Sequence, residues 1–163
     1  MRSRGEAPPA PNLLASDSEA RSLSMTVLMM PDTANFSGNV HGGIILKYLD
    51  QVAYTCATRF SRQYMVTASV DLVRFLRPIH VGDLVTFLAA VNYTGRTSIE
   101  VGIRVESENL ARGQRAHTNS CYFTMVSVDD AGRPRAVRQL EPRDDEERRR
   151  WKEAAERRAA RGL

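Results

Sequence analysis

Apolar and β-branched residues crowd the segment from Leu23 to Met30 and stop at Pro31, a pattern that predicts a first strand. Residues 31–40, PDTANFSGNV, carry Pro, Asp, Asn and Gly at close intervals and read as a structured loop. From His41 to Phe60 the period changes. Ile45, Leu49, Val52, Cys56 and Phe60 stand three or four apart, and so do Ile44, Tyr48, Ala53 and Ala57. Two adjacent stripes predict a helix that is apolar round most of its circumference and is therefore buried, as if wrapped by a sheet. Beyond Tyr64 the period is two: Val66, Ala68, Val70 and Leu72 alternate with Thr67, Ser69 and Asp71, up to Arg77-Pro78. Gly82-Asp83, Thr94-Gly95-Arg96, residues 109–113 and residues 129–132 then punctuate three more strands, over 84–93, 97–105 and 114–128. Strands joined by short turns are antiparallel neighbours, so the expected order is one strand, one long buried helix and four consecutive antiparallel strands, an α+β architecture. One helix cannot cover such a sheet completely, and two copies side by side would pair sheet edges and bury the helices.

The ends of the sequence differ from this middle. Residues 1–20 are Pro, Ala, Ser and charge, with no apolar stretch behind Arg2 and Arg4, and are expected to be a disordered tail rather than a signal peptide. Residues 21–140 form the expected domain. Residues 141–163 are expected to form a charged C-terminal helix, acids at its start (Asp144 to Glu147) and arginines at its end (Arg157, Arg158, Arg161), an order that complements the helix dipole. A solvated surface helix is the simpler reading of that segment, ahead of a partner-binding one.

The 163 residues suit a single domain, and 42% hydrophobic residues suffice for a core. No apolar run is long enough to span a bilayer, so a cytoplasmic protein without a membrane partner is expected. The net charge of +4 lacks the one-signed face with interleaved aromatics that nucleic acid demands. Cys56 and Cys121 show no CxxC spacing and no Cys/His cluster has metal-ligand spacing, so no metal site is expected and the cysteines read as plain buried thiols.

Candidate chemistry concentrates around the helix start. Gly42 and Gly43 open a helix although glycine costs about 1 kcal/mol there relative to alanine. Two reasons fit equally: close packing against a strand, or bare backbone N–H groups that a ligand oxygen can approach, where they would stabilise charge developing in acyl transfer. Asp50 falls mid-helix between Leu49 and Val52, where a carboxylate is costly unless paired or wetted, and so is a candidate base or nucleophile; an ordinary surface acid is the alternative. Asn35, in the loop, is on its own more often a turn residue, though its amide suits holding a water or a carbonyl beside Asp50. His41 is a second choice as base. Ser37, Ser98 and Ser120 lack a Gly-x-Ser-x-Gly elbow, and neither a phosphate-cradling loop nor a dinucleotide fingerprint occurs.

The stretch PDTANFSGNVHGGIILKYLD, Pro31 to Asp50, closely resembles the acyl-coenzyme A hydrolase group of hotdog thioesterases, which includes the cytosolic (brain-type) acyl-CoA hydrolases. The resemblance extends through Val70-Asp71, Phe75, Pro78, Val81-Gly82-Asp83 and Gly95-Arg96-Thr97-Ser98, from about Met25 to Arg135. It implies a hotdog dimer that assembles further as a trimer of dimers, with active sites at the dimer interface. It implies that Asn35 of one subunit acts with Asp50 of the other. Asp50 would activate water or attack the thioester, while Asn35 would position water or carbonyl and an amide of Gly42 or Gly43 would polarise the thioester oxygen. His41, Val70, Asp71, Gly95, Arg96, Thr97 and Ser98 would line the substrate, the Gly95–Ser98 stretch lying near pantetheine and nucleotide. Coenzyme A enters as part of the substrate, and no cofactor is implied. Two rivals share the fold: a hydratase or dehydratase, whose Asp-x-Asn-Pro-x-His or His-Phe-Pro runs are absent, and a non-catalytic acyl-CoA binder.

Overall fold

The computed structural model describes residues 16–162. A five-stranded antiparallel sheet curls round one long helix, as expected. In chain order the elements are α1 (Asp17–Ala20), β1 (Ser22–Leu28), a 3₁₀ turn (Pro31–Thr33), α2 (Gly42–Ser61), β2 (Met65–Asp71), β3 (Asp83–Thr94), β4 (Ser98–Asn109), β5 (Gln114–Ser127) and α3 (Asp145–Ala160). Of the expected tail, residues 1–15 lie outside the described residues. Asp17–Ala20 form a helical turn closed by a capping box between Ser16 and Glu19.

The strand order is β1-β3-β4-β5-β2. This differs from four consecutive neighbours: β2 pairs with β5, from Met65 opposite Ser127 to Asp71 opposite Tyr122, and not with β3. The reason is the length of residues 72–82, which is a crossover and not a tight turn. It starts at Leu72 with φ 28°, donates the Leu76 amide to Thr118 O, and buries Ile79 on its way to β3. The β3–β4 and β4–β5 hairpins are as expected.

The core lies between α2 and the concave sheet face. Ile45, Leu49, Val52, Cys56 and Phe60 meet Val85, Phe87, Ile99, Val101, Phe123 and Met125, all buried. Each large side chain so removed from water contributes roughly 1.5–3 kcal/mol. The predicted second stripe of α2 is covered too, with Ala53 and Ala57 buried and Ile44 and Tyr48 half-buried against the core. The remaining face, with Leu46, Asp50 and Tyr54, is exposed and is not covered by any of the described residues.

The C-terminal helix is not a free solvated helix. It docks on the convex face of the sheet, where Ala154 is buried and Trp151 packs on Tyr93 with ring centroids 5.2 Å apart. Glu100 of β4, only 5% exposed, receives Arg157 at 2.7 Å and Arg161 at 3.3 Å. Arg157 also stacks 3.7 Å over the Tyr122 ring. Asp144 caps the helix by accepting from the Glu147 amide at 2.7 Å.

Candidate active site

The loop before α2 is built on Asn35. Its Oδ1 accepts the amides of Ser37 (2.9 Å) and Asn39 (3.1 Å), while its own amide donates to Asn39 O at 2.6 Å. Gly38, at φ 79°, supplies the left-handed residue that the reversal needs. Two backbone donors on Oδ1 fix the orientation of the side-chain amide and leave its NH₂ as the outward group. Asn35 is thus a turn residue and at the same time a presented donor. The loop is tied down by Val40 N to Ile79 O and His41 N to Thr33 O, both 2.8 Å.

His41 caps α2. Its Nδ1 accepts the Gly43 amide at 2.9 Å, which requires an unprotonated Nδ1 and ties the ring to a structural task. Of the two glycine amides expected as oxyanion donors, that of Gly43 is therefore occupied. The Ile44 amide returns to His41 O. The Gly42 amide has no partner among the described residues. The glycines also differ in what surrounds them. A Cβ on Gly43 would meet His41 Nδ1 at 3.0 Å, whereas one on Gly42 would touch only the Phe75 ring at 3.5 Å. Gly42, Asn35, Val40, Ile45, Phe75 and Ile79 line a cavity of about 290 Å³, close to the lower end of small-ligand sites.

Asp50 stands two turns further along α2, roughly 12 Å up the axis from Gly42 at 1.5 Å per residue. One carboxylate oxygen accepts from Thr67 Oγ1 of β2 at 2.6 Å, a short, charge-assisted bond. The other oxygen has no hydrogen-bond partner among the described residues, and the side chain is exposed. Thr67 was missed in the sequence because strict alternation puts it with Ser69 and Asp71 on the far side of the strand. A bulge between Thr67 and Ser69 resets the phase, so that Met65 and Thr67 face the helix and Asp71 faces away.

The other expected substrate residues divide. Val70 is exposed on the helix-facing side of β2. Asp71, on the opposite face, forms an ion pair with Arg161 of α3 at 2.6 Å. Gly95 to Ser98 make the β3–β4 turn, anchored by Gly95 N to Ser98 O, Ser127 N to Thr97 O and Val137 N to Arg96 O. Arg158 of α3 donates to Ser98 Oγ at 3.1 Å and lies against Gly95. Arg96 alone of this group projects to solvent. Cys56 and Cys121 are buried thiols, each pushed up by burial to about 12, and neither reaches the site. Among the described residues there is no cluster of His, Cys, Asp or Glu able to hold a metal, and no helix long and apolar enough to cross a membrane.

Residues 37–113 match the thioesterase superfamily. Protein VdlD of Helicobacter pylori is 50% identical over 139 residues, covering 85% of this chain and 79% of that protein. A hexameric acyl-CoA thioesterase superposes with a TM-score of 0.82 at 39% identity, covering 86% of this chain and 90% of the other. The acyl-CoA hydrolase of Staphylococcus aureus, solved with butyryl coenzyme A and coenzyme A, gives 0.79 at 31% identity over 90% of this chain and 91% of its own. It has also been solved with single Asn-to-Ala, Asp-to-Ala and Thr-to-Ala changes, at positions that stand 15 and 17 residues apart. Asn35, Asp50 and Thr67 have the same two spacings.

Proposed function

The chain belongs to the acyl-coenzyme A hydrolase family of hotdog thioesterases, and from that premise we propose that it hydrolyses fatty acyl-CoA to free fatty acid and coenzyme A at sites shared between two copies. The observation that carries this reading is the division of the polar groups along α2. At one end are two donors, the Asn35 NH₂ and the Gly42 N–H, beside a cavity lined by Ile45, Phe75 and Ile79 together with Asn39 and Arg77. Two turns away is a carboxylate held by Thr67. A single thioester cannot meet both ends of one chain's helix. A two-fold axis that lays two α2 helices antiparallel would bring the donors of one to the Asp50 of the other.

The surface suits such a partner. Asp50 is flanked by exposed Leu46 and Tyr54 on α2 and by Tyr64 and Val70 beside and on β2, and β2 is an edge strand with one side unpaired. The hexameric relative is consistent with two-fold pairs that assemble further.

In this site the thioester oxygen takes the Gly42 N–H, aided by the positive end of α2. The Asn35 NH₂ holds the attacking water or the carbonyl. The free oxygen of Asp50 removes a proton from water as its oxygen bonds to the carbonyl carbon. The C–S bond breaks, and the proton passes from Asp50 to the departing sulfur. Direct attack by Asp50, giving an anhydride that water then opens, uses the same groups. A thioester is an activated acyl donor, so neither route needs a metal.

The test is release of free thiol from a panel of acyl-CoAs, acetyl to palmitoyl, by wild type, Asp50→Ala and Asn35→Ala. Release by wild type, with kcat down by about a hundredfold or more in each variant and the fold retained, supports the reading. Binding of acyl-CoA without hydrolysis anywhere on the panel overturns it in favour of a binder.

A further inference from the structure

Arg161, the residue that caps the C-terminal helix, reaches the back of β2, the strand whose Thr67 holds Asp50. Thr67 and Asp71 lie on opposite faces of β2. From the concave side Thr67 donates to Asp50 of α2 at 2.6 Å. From the convex side Asp71 Oδ2 is ion-paired with Arg161 Nη1 at 2.6 Å, a close charge contact without hydrogen-bond alignment. Between these two points the strand is held on one side, by its ladder to β5. Among the described residues it is an edge strand bonded only to β5, it is broken by the Thr67/Ser69 bulge, and it runs out at Leu72 with positive φ into irregular chain. Strand ends of this kind fray unless tied.

Arg161 itself is well braced. Its Nε donates to Arg157 O at 3.1 Å, Nη2 meets the buried Glu100 at 3.3 Å, and Nη1 also reaches Thr124 Oγ1 at 3.4 Å. Arg157 fills the other side of Glu100 and lies on Tyr122, the β5 residue opposite Asp71. The guanidinium that reaches Asp71 is thus fastened to the sheet centre through β4 and β5. It does not wave from a helix end.

We propose that Arg161, through Asp71, is a positioning residue for the hydrolysis: it holds β2 in the register and depth at which Thr67 orients the Asp50 carboxylate. The proposal rests on the catalytic reading of Asp50 given above. It assigns the C-terminal helix a part in turnover, and it gives Asp71 a different task from lining the substrate.

The two tasks of Asp71 separate kinetically. A substrate-binding Asp71 would, on change to Asn, raise KM. A clamp would lower kcat, because only the geometry of the attacking group suffers. The experiment measures kcat and KM on the best acyl-CoA of the panel for Arg161→Ala, Arg161→Lys, Asp71→Asn, Thr67→Val and the double variant Arg161→Ala/Thr67→Val, with Asp50→Ala alongside. Expected are a fall in kcat of about fivefold for Arg161→Ala and for Asp71→Asn with KM within about twofold, recovery of most of the loss in Arg161→Lys, and a double variant no slower than Thr67→Val alone, since both changes act through one hydrogen bond. Asp71→Asn keeps the proposal testable should Arg161→Ala fail to fold. Wild-type kcat in both single variants, a loss carried by KM, or losses that multiply in the double variant would each overturn the clamp. Full activity in Asp50→Ala would instead overturn the catalytic reading on which it stands.

Discussion

Thr67 Oγ1 lies 2.6 Å from Asp50 Oδ1, a bond between the edge strand and the central helix that leaves the second carboxylate oxygen without a partner among the described residues. It leaves the carboxylate one free oxygen and one orientation. Thr67→Val keeps the shape of the side chain and removes the donor. Such a bond to a charged group is worth about 1.5–3 kcal/mol when buried and less at this exposed position. The expected outcome is a kcat reduced about tenfold at little changed KM and unchanged thermal midpoint, read by thiol release and by calorimetry. Wild-type kcat would remove Thr67 from the site.

The two thiols make a prediction about alkaline stability. Burial pushes Cys56 and Cys121 from 9.0 to about 12 in the folded chain. A raised value means that the fold favours the neutral thiol. The stability this represents is complete below about pH 9, where both states keep the proton, and is lost as pH rises from there toward about 12, where only the unfolded chain releases it. Urea unfolding at about pH 7.5 and about pH 10.5 should show a loss that shrinks in Cys56→Ala/Cys121→Ala by about 1–2 kcal/mol per thiol. Equal pH slopes in the two proteins would contradict the burial argument.

Where local chemistry decides the structure, the sequence was legible. The helix expected from His41 to Phe60 is Gly42–Ser61, because an apolar 3.6-residue period with no proline and a capping histidine leaves few alternatives. The β3–β4 and β4–β5 hairpins follow from Gly95 and Gly113 in their turns. What escaped depends on contacts far apart in sequence. The place of β2 beside β5 is set by the 72–82 crossover, which resembles a loop of any destination. Thr67 was hidden by a bulge, since one extra residue inverts the facing of everything beyond it. The arginines of α3 looked solvated because Glu100 and Asp71, which receive them, lie 57 and 90 residues earlier than Arg157 and Arg161, respectively. The exposure of Asp50 follows from the same limit, since the described residues leave open its side of a helix that the sequence expected to be buried.

The two glycines at the start of α2 are not equivalent. Gly43→Ala drives a methyl to 3.0 Å from His41 Nδ1 and disturbs the cap. The lost cap, about 1 kcal/mol, offsets the helix propensity gained, so stability should barely change. Gly42→Ala meets only an ordinary contact with Phe75. It should raise stability by up to about 1 kcal/mol. Its methyl nonetheless enters the cavity beside the Gly42 amide, so kcat/KM should fall by about tenfold or more. A variant more stable and less active than wild type is the expected result of chemical denaturation and steady-state kinetics on the same preparation. Retained kcat/KM would show that the Gly42 amide does not face the thioester.

Sharing of the site between copies is the most discriminating expectation. If Asn35 of one subunit serves Asp50 of its partner, Asn35→Ala and Asp50→Ala are each inactive alone for different reasons. A mixed dimer of the two carries one site with both groups intact and one with both missing. Co-refolding equal amounts gives mixed dimers in about half of the population, each with one of two sites working. Activity should therefore recover to about a quarter of wild type from two nearly inactive parents. If both residues served a site within one chain, every subunit of the mixture would keep a defect and no recovery would appear at any ratio. A ratio series sharpens the reading, because recovery that depends on the product of the two fractions peaks at equal amounts. Wild type co-refolded with the double variant Asn35→Ala/Asp50→Ala supplies the control: its mixed dimers have two sites, each lacking one group, so activity should follow the square of the wild-type fraction if the site is shared. A linear dependence would place Asn35 and Asp50 on the same site of a single chain and overturn the antiparallel arrangement of the two α2 helices.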